Sequence, residues 1–418
     1  MKFKNKIFYG WVITAAFFVI GTAVWGIRFS YGVFFKSIES EFELSRAATS
    51  SVFSTHMGLG ILFAIMGGWA LDRFGPKIVN LIMGILITLS LLLTSQITGL
   101  WQLFITYGVL LSAGASVNYV IIISTVSRWF NKKRGMALGI ASSGVGLGTV
   151  IMAPLATFLI TTLNWRMAFL VIGVICLVLI IPLSWLLKGE PREIGALPDG
   201  EEPNSPDPLP TIQGAMKQNA QTYEPSLSQS IKTRSFWLIT FIYFAIAFSM
   251  FLISTHLVPH ATDTGISLTA AAGIMSLQGG AIFLGRIFIG SVSDKIGRKA
   301  GIIICTLLEA GALVWLIWAK GLWMFYLFAF AFGFAYGGIG PCIAAVAGEI
   351  FGLRRIGTLM GLLDIGFGLG AAVGPIIGGL IFDVSQSYSL AFVLAAVTML
   401  ISALFTTRVK REIKEKHT

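Results

Sequence analysis

The sequence predicts an all-α membrane protein with twelve transmembrane helices in two pseudo-symmetric six-helix bundles. Two observations lead to this fold class. First, 56% of the 418 residues are hydrophobic and only 12% are charged, a composition that excludes an ordinary soluble domain. Second, a loop rich in glycine and charge occurs twice, and its two aspartates, Asp72 and Asp294, are 222 residues apart. Such a register between matching apolar segments indicates an internal duplication.

Apolar stretches long enough to cross a bilayer, about 20 residues each, occur six times in each half of the chain. The predicted spans are 8–35, 47–70, 78–96, 101–127, 135–162, 167–187, 236–259, 269–290, 300–319, 322–348, 356–381 and 390–407. Residues 1–187 are assigned to the amino-terminal bundle, and 235–418 to the carboxy-terminal bundle with a short cytoplasmic tail. The segment 188–234 between them holds seven of the thirteen prolines. It cannot bury enough apolar surface to fold alone, so a flexible linker is expected.

The distribution of positive charge predicts the orientation in the membrane. Of the 30 Lys and Arg residues, 24 lie on the side of the chain termini. The positive-inside rule therefore places both termini in the cytoplasm of a plasma membrane, here a bacterial inner membrane. The net charge of +11 follows from this topology, so no nucleic-acid partner is expected. The lipid bilayer is the expected environment.

Neither a disulfide framework nor an enzyme is expected. The three cysteines, Cys176, Cys305 and Cys342, all fall within predicted spans. The sequence contains no H-E-x-x-H, no G-x-S-x-G and no paired cysteine–histidine metal spacing. No cofactor and no metal are therefore expected.

The duplicated loop resembles the G-x-x-x-D-R-x-G-x-K signature of the major facilitator superfamily. One copy runs from Gly68 to Lys77 and the other from Gly290 to Lys299. The resemblance implies the major facilitator fold and a secondary transporter, expected to function as a monomer. It also implies a gating role for the acidic and basic residues of the loops, which hold neighbouring helix ends together on the cytoplasmic side. These residues are Asp72, Arg73, Asp294 and Arg298.

A narrower resemblance is carried by the segments that start at Phe29 and Arg128 and by Arg286 in helix 8. They are similar to the monocarboxylate porter and oxalate–formate antiporter group, in which the arginine at this place binds the substrate carboxylate. The chain departs from that group twice. Ile282 stands where eukaryotic monocarboxylate porters usually have an aspartate, which leaves the proton-coupling residue open. The oxalate antiporter pattern has a lysine in helix 11, but this chain has Leu362, Leu363 and Asp364 there. This difference argues against a dianion held between two cations.

The ionisable residues inside the spans are not duplicated. A shift of 222 residues places Ala64 at the position of Arg286 and Ser142 at that of Asp364. A charge near the bilayer centre costs about 2.5–3.5 kcal/mol, so each should face a cavity or a partner. A shared scaffold would need these residues in both halves. Because these charges occur in one half only, they are expected to interact with the transported molecule.

Ten residues are candidates for the transport site. Those for substrate binding are Arg286, Arg28, Asn118, Tyr119, His256, Gln278 and Tyr336. Those for proton coupling are Asp364, Glu309 and His56, with Asp364 first because helix 11 is rich in glycine and lines the cavity in this family. Two alternatives stay open. Arg286 would be structural if it paired with Glu309 or Asp364, and Arg28 would be structural if it snorkelled to the surface.

The expected function is secondary active transport of a small monocarboxylate such as lactate, pyruvate or formate, coupled to a proton and using alternating access. The first alternative is exchange of carboxylate anions of the oxalate–formate type. A less favoured alternative is export of drugs or aromatic compounds, which would need a larger apolar cavity and little contribution from Arg286. The sequence does not distinguish between individual carboxylates.

Overall fold

The computed structural model of the chain describes residues 8–200, 227–351 and 356–410. The helices of the first half are α1 (Tyr9–Glu41), α2 (46–74) and α3 (76–94), which are the two parts of Arg46–Thr94 on either side of Gly75, α4 (Leu100–Trp129), α5 (Arg134–Thr162) and α6 (Trp165–Leu186). Those of the second half are α7 (Arg234–Asp263), α8 (Leu268–Ile296), α9 (Arg298–Leu316), α10 (Leu322–Phe351), α11 (Ile356–Ser385) and α12 (Ser389–Arg408). With α2 and α3 counted together, these helices are long and apolar enough to cross a membrane. The protein is thus an integral membrane protein.

Two helix boundaries show how local sequence sets the fold. The turn between α2 and α3 is made at Gly75, whose φ of 75° is a conformation that glycine adopts readily, and Pro76 follows it. Helix α1 continues to Glu41, beyond its predicted end at residue 35. The added turn carries Lys36 and Glu41, which form ion pairs with Asp263 of α7 and Arg166 of α6.

The packing repeats with the same register as the sequence. A Cβ atom on Gly144 of α5 would lie 2.6 Å from the carbonyl oxygen of Phe18 in α1. At the equivalent place of the second half, a Cβ atom on Gly366 of α11 would lie 2.4 Å from the carbonyl oxygen of Thr240 in α7. Only glycine allows these backbones to approach so closely. The α1–α5 and α7–α11 contacts are therefore duplicated along with the sequence.

Besides the contacts between α1 and α7, the two halves meet along two seams, the first of which lies between α5 and α8. We call the end of the bundle with the Gly75 turn the amino-terminal face, and the other end the opposite face. At mid-height a Cβ atom on Gly146 would lie 2.9 Å from the carbonyl oxygen of Gly279. Nearer the amino-terminal face, Arg286 Nη1 donates to the carbonyl oxygen of Ser142 at 3.4 Å. Beyond it, a Cβ atom on Gly139 would have no described heavy atom within 4 Å.

The second seam lies between α2 and α11 and diverges in the same direction. A Cβ atom on Gly379 would lie 2.7 Å from the backbone of Ala47, near the opposite face. Lower down, a Cβ atom on Gly368 would lie 2.4 Å from the Ile61 side chain. One helical turn closer to the amino-terminal face, Asp364 is exposed. Both seams thus separate at the same level, and we call the space between them the vestibule.

At the opposite face the halves are tied together by a polar cluster that we call the latch, formed by Lys36, Arg46, Asp263 and Asp383. Arg46 Nη1 and Lys36 Nζ both pair with the Asp263 carboxylate, the former at 2.6 Å. The Asp383 carboxylate of α11 accepts from the backbone N–H groups of Arg46 and Ala47, both at 2.9 Å. An α11 side chain therefore caps the start of α2, a stabilising position for an anion.

The linker packs against the protein more than its composition suggests. Asp199 accepts from the backbone N–H groups of Asn131 at 2.8 Å and Lys132 at 2.7 Å, in the α4–α5 turn. The indole of Trp129 donates to the carbonyl oxygen of Lys188 at 3.0 Å. The expectation of a flexible tether therefore does not hold for 188–200. Residues 201–226, which include most of the linker prolines, lie outside the described ranges.

Candidate functional site

Arg286 lies at the apex of the vestibule, where α8 separates from α5. Its side chain is half-buried, and its one hydrogen bond to a described residue is the 3.4 Å contact to the carbonyl oxygen of Ser142. It forms no ion pair with a carboxylate of the described residues. Structural pairing with Glu309 or Asp364 is thus absent from this conformation. A guanidinium in this setting keeps most of its donors free for a planar anion.

Asp364 is the second unpaired charge at the apex. It is exposed on α11, and no described residue forms an ion pair or a hydrogen bond with it. In the 222-residue register Asp364 is equivalent to Ser142, which contacts Arg286 on the other seam. The two charges therefore lie at the same depth on opposite sides of the vestibule.

Three tyrosines surround these charges. Tyr119 of α4 is 41% exposed, and Tyr336 of α10 and Tyr243 of α7 are half-buried. Tyr119 and Tyr336 each lie within electrostatic range of both Arg286 and Asp364, that is, close enough for both charges to act on the phenol group. Tyr243 lies within range of Asp364 and of the other two tyrosines. The apex thus offers one cation, one carboxyl group and phenol hydroxyls along apolar rings.

Aromatic rings close the vestibule on the side of the opposite face. Phe29 of α1 and Phe251 of α7 stack at a centroid distance of 5.9 Å, with planes 12° apart. Phe367 packs edge-on against Phe251 at 5.8 Å, and Trp25 stacks on Phe29 at 5.9 Å. These residues and Tyr243 were not among the sequence candidates. The signal for Phe29 and Phe251 was available, since the 222-residue shift pairs them with each other.

Arg28 lies beside this stack inside the first half and does not snorkel to the surface. It is 8% exposed, and its Nε and Nη2 atoms donate to His56 Nε2 and Ser116 Oγ, each at 3.1 Å. Its guanidinium carbon lies 4.9 Å from the Trp25 ring centroid. Because His56 Nε2 accepts from Arg28, the imidazole proton is assigned to Nδ1 and the ring is neutral here. Proton transfer through His56 would first require Arg28 to move.

Asn118 and Gln278 are both buried rather than exposed to the vestibule. Asn118 is 1% exposed, and neither atom of its side-chain amide finds a hydrogen-bond partner among the described residues. Gln278 is also 1% exposed, and its amide donates to Met250 Sδ at 3.9 Å. A buried amide without partners is costly, so Asn118 remains a candidate for a group that arrives with the substrate.

Glu309 lies within electrostatic range of the apex residue Tyr336 but is not exposed there, whereas His256 lies away from the apex. Glu309 of α9 is fully buried; its Oε1 accepts from the Ser249 hydroxyl, and its Oε2 has no partner among the described residues. His256 of α7 belongs to the region of the latch. Its ring nitrogens contact the Tyr388 hydroxyl at 3.0 Å and the carbonyl oxygen of Pro375 at 2.9 Å. The structure therefore separates the candidates into the apex, the Arg28 cluster, the latch, and two residues buried elsewhere, Glu309 and Gln278.

The signature loops lie at the amino-terminal face. Asp72 accepts from Arg128 at 3.3 Å, within the first half, and Arg73 lies over the Trp69 ring at 5.5 Å. Arg298 lies 3.9 Å from Glu349, within the second half. The side chain of Asp294 lies outside what the structure describes. The loop contacts seen here thus join helices within one half.

The sequence and fold agree with one known family. The Major Facilitator Superfamily model matches residues 11–288 and 239–418, which together span nearly the whole chain. The chain belongs to the Major Facilitator Superfamily. The expected fold class, and the resemblance to the monocarboxylate porter and oxalate–formate antiporter group, are confirmed.

Relatives within the Major Facilitator Superfamily align over most of their length. Monocarboxylate transporter 13 of Bos taurus is 27% identical over 394 residues, which cover 94% of this chain and 87% of that protein. Monocarboxylate transporter 12 of Homo sapiens is 27% identical over 424 residues, covering 96% and 81%. The Oxalate:formate antiporter of Oxalobacter formigenes is 26% identical over 409 residues, covering 93% and 90%. These relatives and the fold are those of transporters of this superfamily, not of enzymes.

A solved superfamily member has the same fold. A bacterial homolog of the human lysosomal transporter Spinster, in an inward-facing and occupied conformation, superposes with a TM-score of 0.73 at 16% identity. The match covers 98% of both chains. At this identity the likeness shows the fold alone.

Proposed function

We propose that the protein transports small monocarboxylates, of the size of lactate, pyruvate or formate, with a proton and by alternating access. One observation carries the proposal: at the apex of the vestibule, the guanidinium of Arg286 has no carboxylate partner among the described residues. A buried or half-buried arginine without a counter-ion is stable only if an anion or water compensates it. The relatives named as monocarboxylate transporters support the same ligand chemistry.

The amino-terminal face is assigned to the cytoplasm of the plasma membrane by the excess of Lys and Arg on that side. In this orientation the vestibule opens inward and the latch holds the outer side closed. Release of the latch and closure of the two diverged seams would produce the outward-open state of the same monomer. The arrangement favours access to both states because the described parts of the two seams separate toward the amino-terminal face.

Asp364 is the proposed proton site. It lies on the seam opposite Arg286, so a proton taken up there neutralises one charge while the substrate carboxylate neutralises the other. An occluded state that encloses neutral or paired groups near the bilayer centre costs less than one that encloses uncompensated charges. Proton and anion binding would thus favour the same occluded state.

Exchange of carboxylate anions is the second candidate function. The relative named Oxalate:formate antiporter favours it, as does Arg28, a second buried cation without a carboxylate partner among the described residues. In this case an anion would bind near Arg28 and Arg286 in turn, and no proton would be required. An exporter of drugs or aromatic compounds gains less support, since it would not need Arg286.

The test is uptake of radiolabelled lactate, pyruvate, formate and oxalate into proteoliposomes, with and without an imposed pH gradient. Arg286→Gln and Arg286→Lys should lower kcat/KM for the accepted acid by about 100-fold, or about 2.7 kcal/mol, because a bidentate charge-assisted contact is lost. Lys320→Gln, which removes an exposed charge in the α9–α10 loop, is the matched control and should leave uptake unchanged. Full uptake by Arg286→Gln would refute the proposal.

A further inference from the structure

We propose that the apex accepts monocarboxylates that carry a second, cationic group, so that a zwitterionic ω-amino acid binds with its carboxylate on Arg286 and its ammonium on Asp364. The inference rests on the proposed function, in which Arg286 is the carboxylate site. It adds a substrate class and assigns a specificity role to Asp364.

The first argument is the pair of unsatisfied charges. Among the described residues, Arg286 has one long hydrogen bond, to a backbone carbonyl, and Asp364 has no partner. They do not pair with each other, although both lie within electrostatic range of Tyr119 and Tyr336. A site with one unpaired charge of each sign is complementary to a ligand with the same two charges in reverse order.

The second argument is the position of the charges. Arg286 contacts the α5 residue Ser142, and Asp364 occupies the equivalent position on α11. The charges therefore lie at equal depth on the two seams, with the width of the vestibule between them. A plain monocarboxylate on Arg286 leaves Asp364 to be neutralised by a proton. A ligand with an ammonium group at the right distance replaces that proton.

The third argument is the surface between the charges. Tyr119, Tyr243 and Tyr336 offer ring faces along which a short methylene chain can pack, and ring faces also attract an ammonium group. Burial of each methylene contributes about 0.8 kcal/mol. The preferred chain length should thus match the distance between the two charged groups.

The experiment compares two matched series on the purified full-length protein by calorimetric titration. One series is β-alanine, γ-aminobutyrate, δ-aminovalerate and ε-aminocaproate. The other is propionate, butyrate, valerate and caproate. We expect one chain length at which the amino acid binds at least about tenfold more tightly than the acid of equal length. Asp364→Asn should remove that difference, whereas Glu43→Gln, an exposed carboxylate at the opposite face, should preserve it.

The outcomes separate this inference from the proposed function. If the plain acids bind and no amino acid binds more tightly, the inference fails and the proposed function stands. If neither series binds, or if Arg286→Gln binds both as the parent does, both fail. Should Asp364→Asn not fold, Asp364→Glu provides the test: its longer side chain should shift the preferred amino acid to a shorter chain. An unchanged preference in Asp364→Glu would overturn the inference.

Discussion

Phe29 and Phe251 stack on each other across the interface between the two halves, with ring centroids 5.9 Å apart. They are also equivalent to each other in the 222-residue register. Equivalent residues of two pseudo-symmetric halves can touch only near the pseudo-twofold axis. The stack therefore marks this axis and closes the vestibule toward the opposite face.

The first prediction concerns this stack. Phe251→Ala should weaken closure at the opposite face, because an aromatic pair adds about 0.5–1.5 kcal/mol beyond the area it buries. The readout is labelling by a membrane-impermeant maleimide of Thr255→Cys, a position 1% exposed in this conformation, with the three native cysteines replaced. Labelling should rise several-fold, and Phe29→Ala should add little to it.

The control for the stack is Phe169→Ala. Phe169 stacks on Phe34 at 4.0 Å within the first half, so its loss should lower the thermal stability without increasing labelling. Strictly additive effects of Phe29→Ala and Phe251→Ala would show that the two rings are not coupled.

The second prediction uses the repeat as a source of substitutions. The equivalents of Arg28 and His56 are Met250 and Gln278, which contact each other at 3.9 Å. The double variant Arg28→Met/His56→Gln therefore installs a pair that the same fold already accommodates. It should fold, yet its KM for carboxylates should rise by about tenfold or more, since hydrogen bonds to a charged group contribute about 1.5–3 kcal/mol. An unchanged KM would make Arg28 a purely structural residue.

The third prediction addresses proton coupling. Asp364→Asn should retain exchange of internal for external carboxylate but lose accumulation driven by a pH gradient, because its amide cannot take up and release a proton. Tracer exchange and a pH-sensitive dye enclosed in the vesicles measure the two activities separately. Asp364→Glu should recover proton movement. Accumulation by Asp364→Asn equal to that of the parent protein would assign the proton to another residue.

The fourth prediction concerns the latch. Asp383→Asn removes the negative charge that caps the start of α2. It should therefore destabilise the conformation that is closed at the opposite face by about 0.3–2 kcal/mol. Labelling of Thr255→Cys is expected to increase accordingly. Glu41→Gln is the matched control at the same face, since Glu41 pairs with Arg166 within one half. Equal labelling of both variants would argue against a latch between the halves.

The fifth prediction tests the docked part of the linker. Asp199→Ala removes a carboxylate that accepts from consecutive backbone N–H groups at the start of α5, which should cost about 0.5–2 kcal/mol. Limited proteolysis near residue 199 should become faster and the thermal transition should move down. Arg192→Ala, at an exposed position of the same segment, should change neither. Identical digestion of both variants would show that Asp199 does not hold the linker.

Much of the architecture was predictable because helix formation in a bilayer is a local property. An apolar run of sufficient length must satisfy its backbone hydrogen bonds internally, so it forms a helix wherever it lies. The glycine contacts at Gly144 and Gly366 and the stack of Phe29 on Phe251 also follow the repeat register. Arg286, Asp364, Tyr119 and Tyr336 were identified as candidates, and the structure brings them together at one apex.

Other candidates could not be placed from sequence. Glu309, Gln278 and His256 are buried at separate places, and Tyr243 was missed. In a membrane protein, the lipid-facing and the packed surfaces of a helix are both apolar, so hydrophobic periodicity does not tell which side faces the cavity. Whether a charge finds a partner depends on which distant helices lie beside it.

The sequence by itself determined the twelve helices, the internal duplication and the presence of unmatched charges within the spans. The tertiary structure alone decided that Arg286 and Asp364, on opposite seams, find no charged partner in the described part of the chain, and that the latch closes one face while the seams separate toward the other. The physical reason is the distance along the chain over which each interaction acts. Membrane insertion and helix formation depend on residues that are neighbours in sequence. The pairing of a charge, by contrast, depends on the relative position of two bundles that can rock against each other.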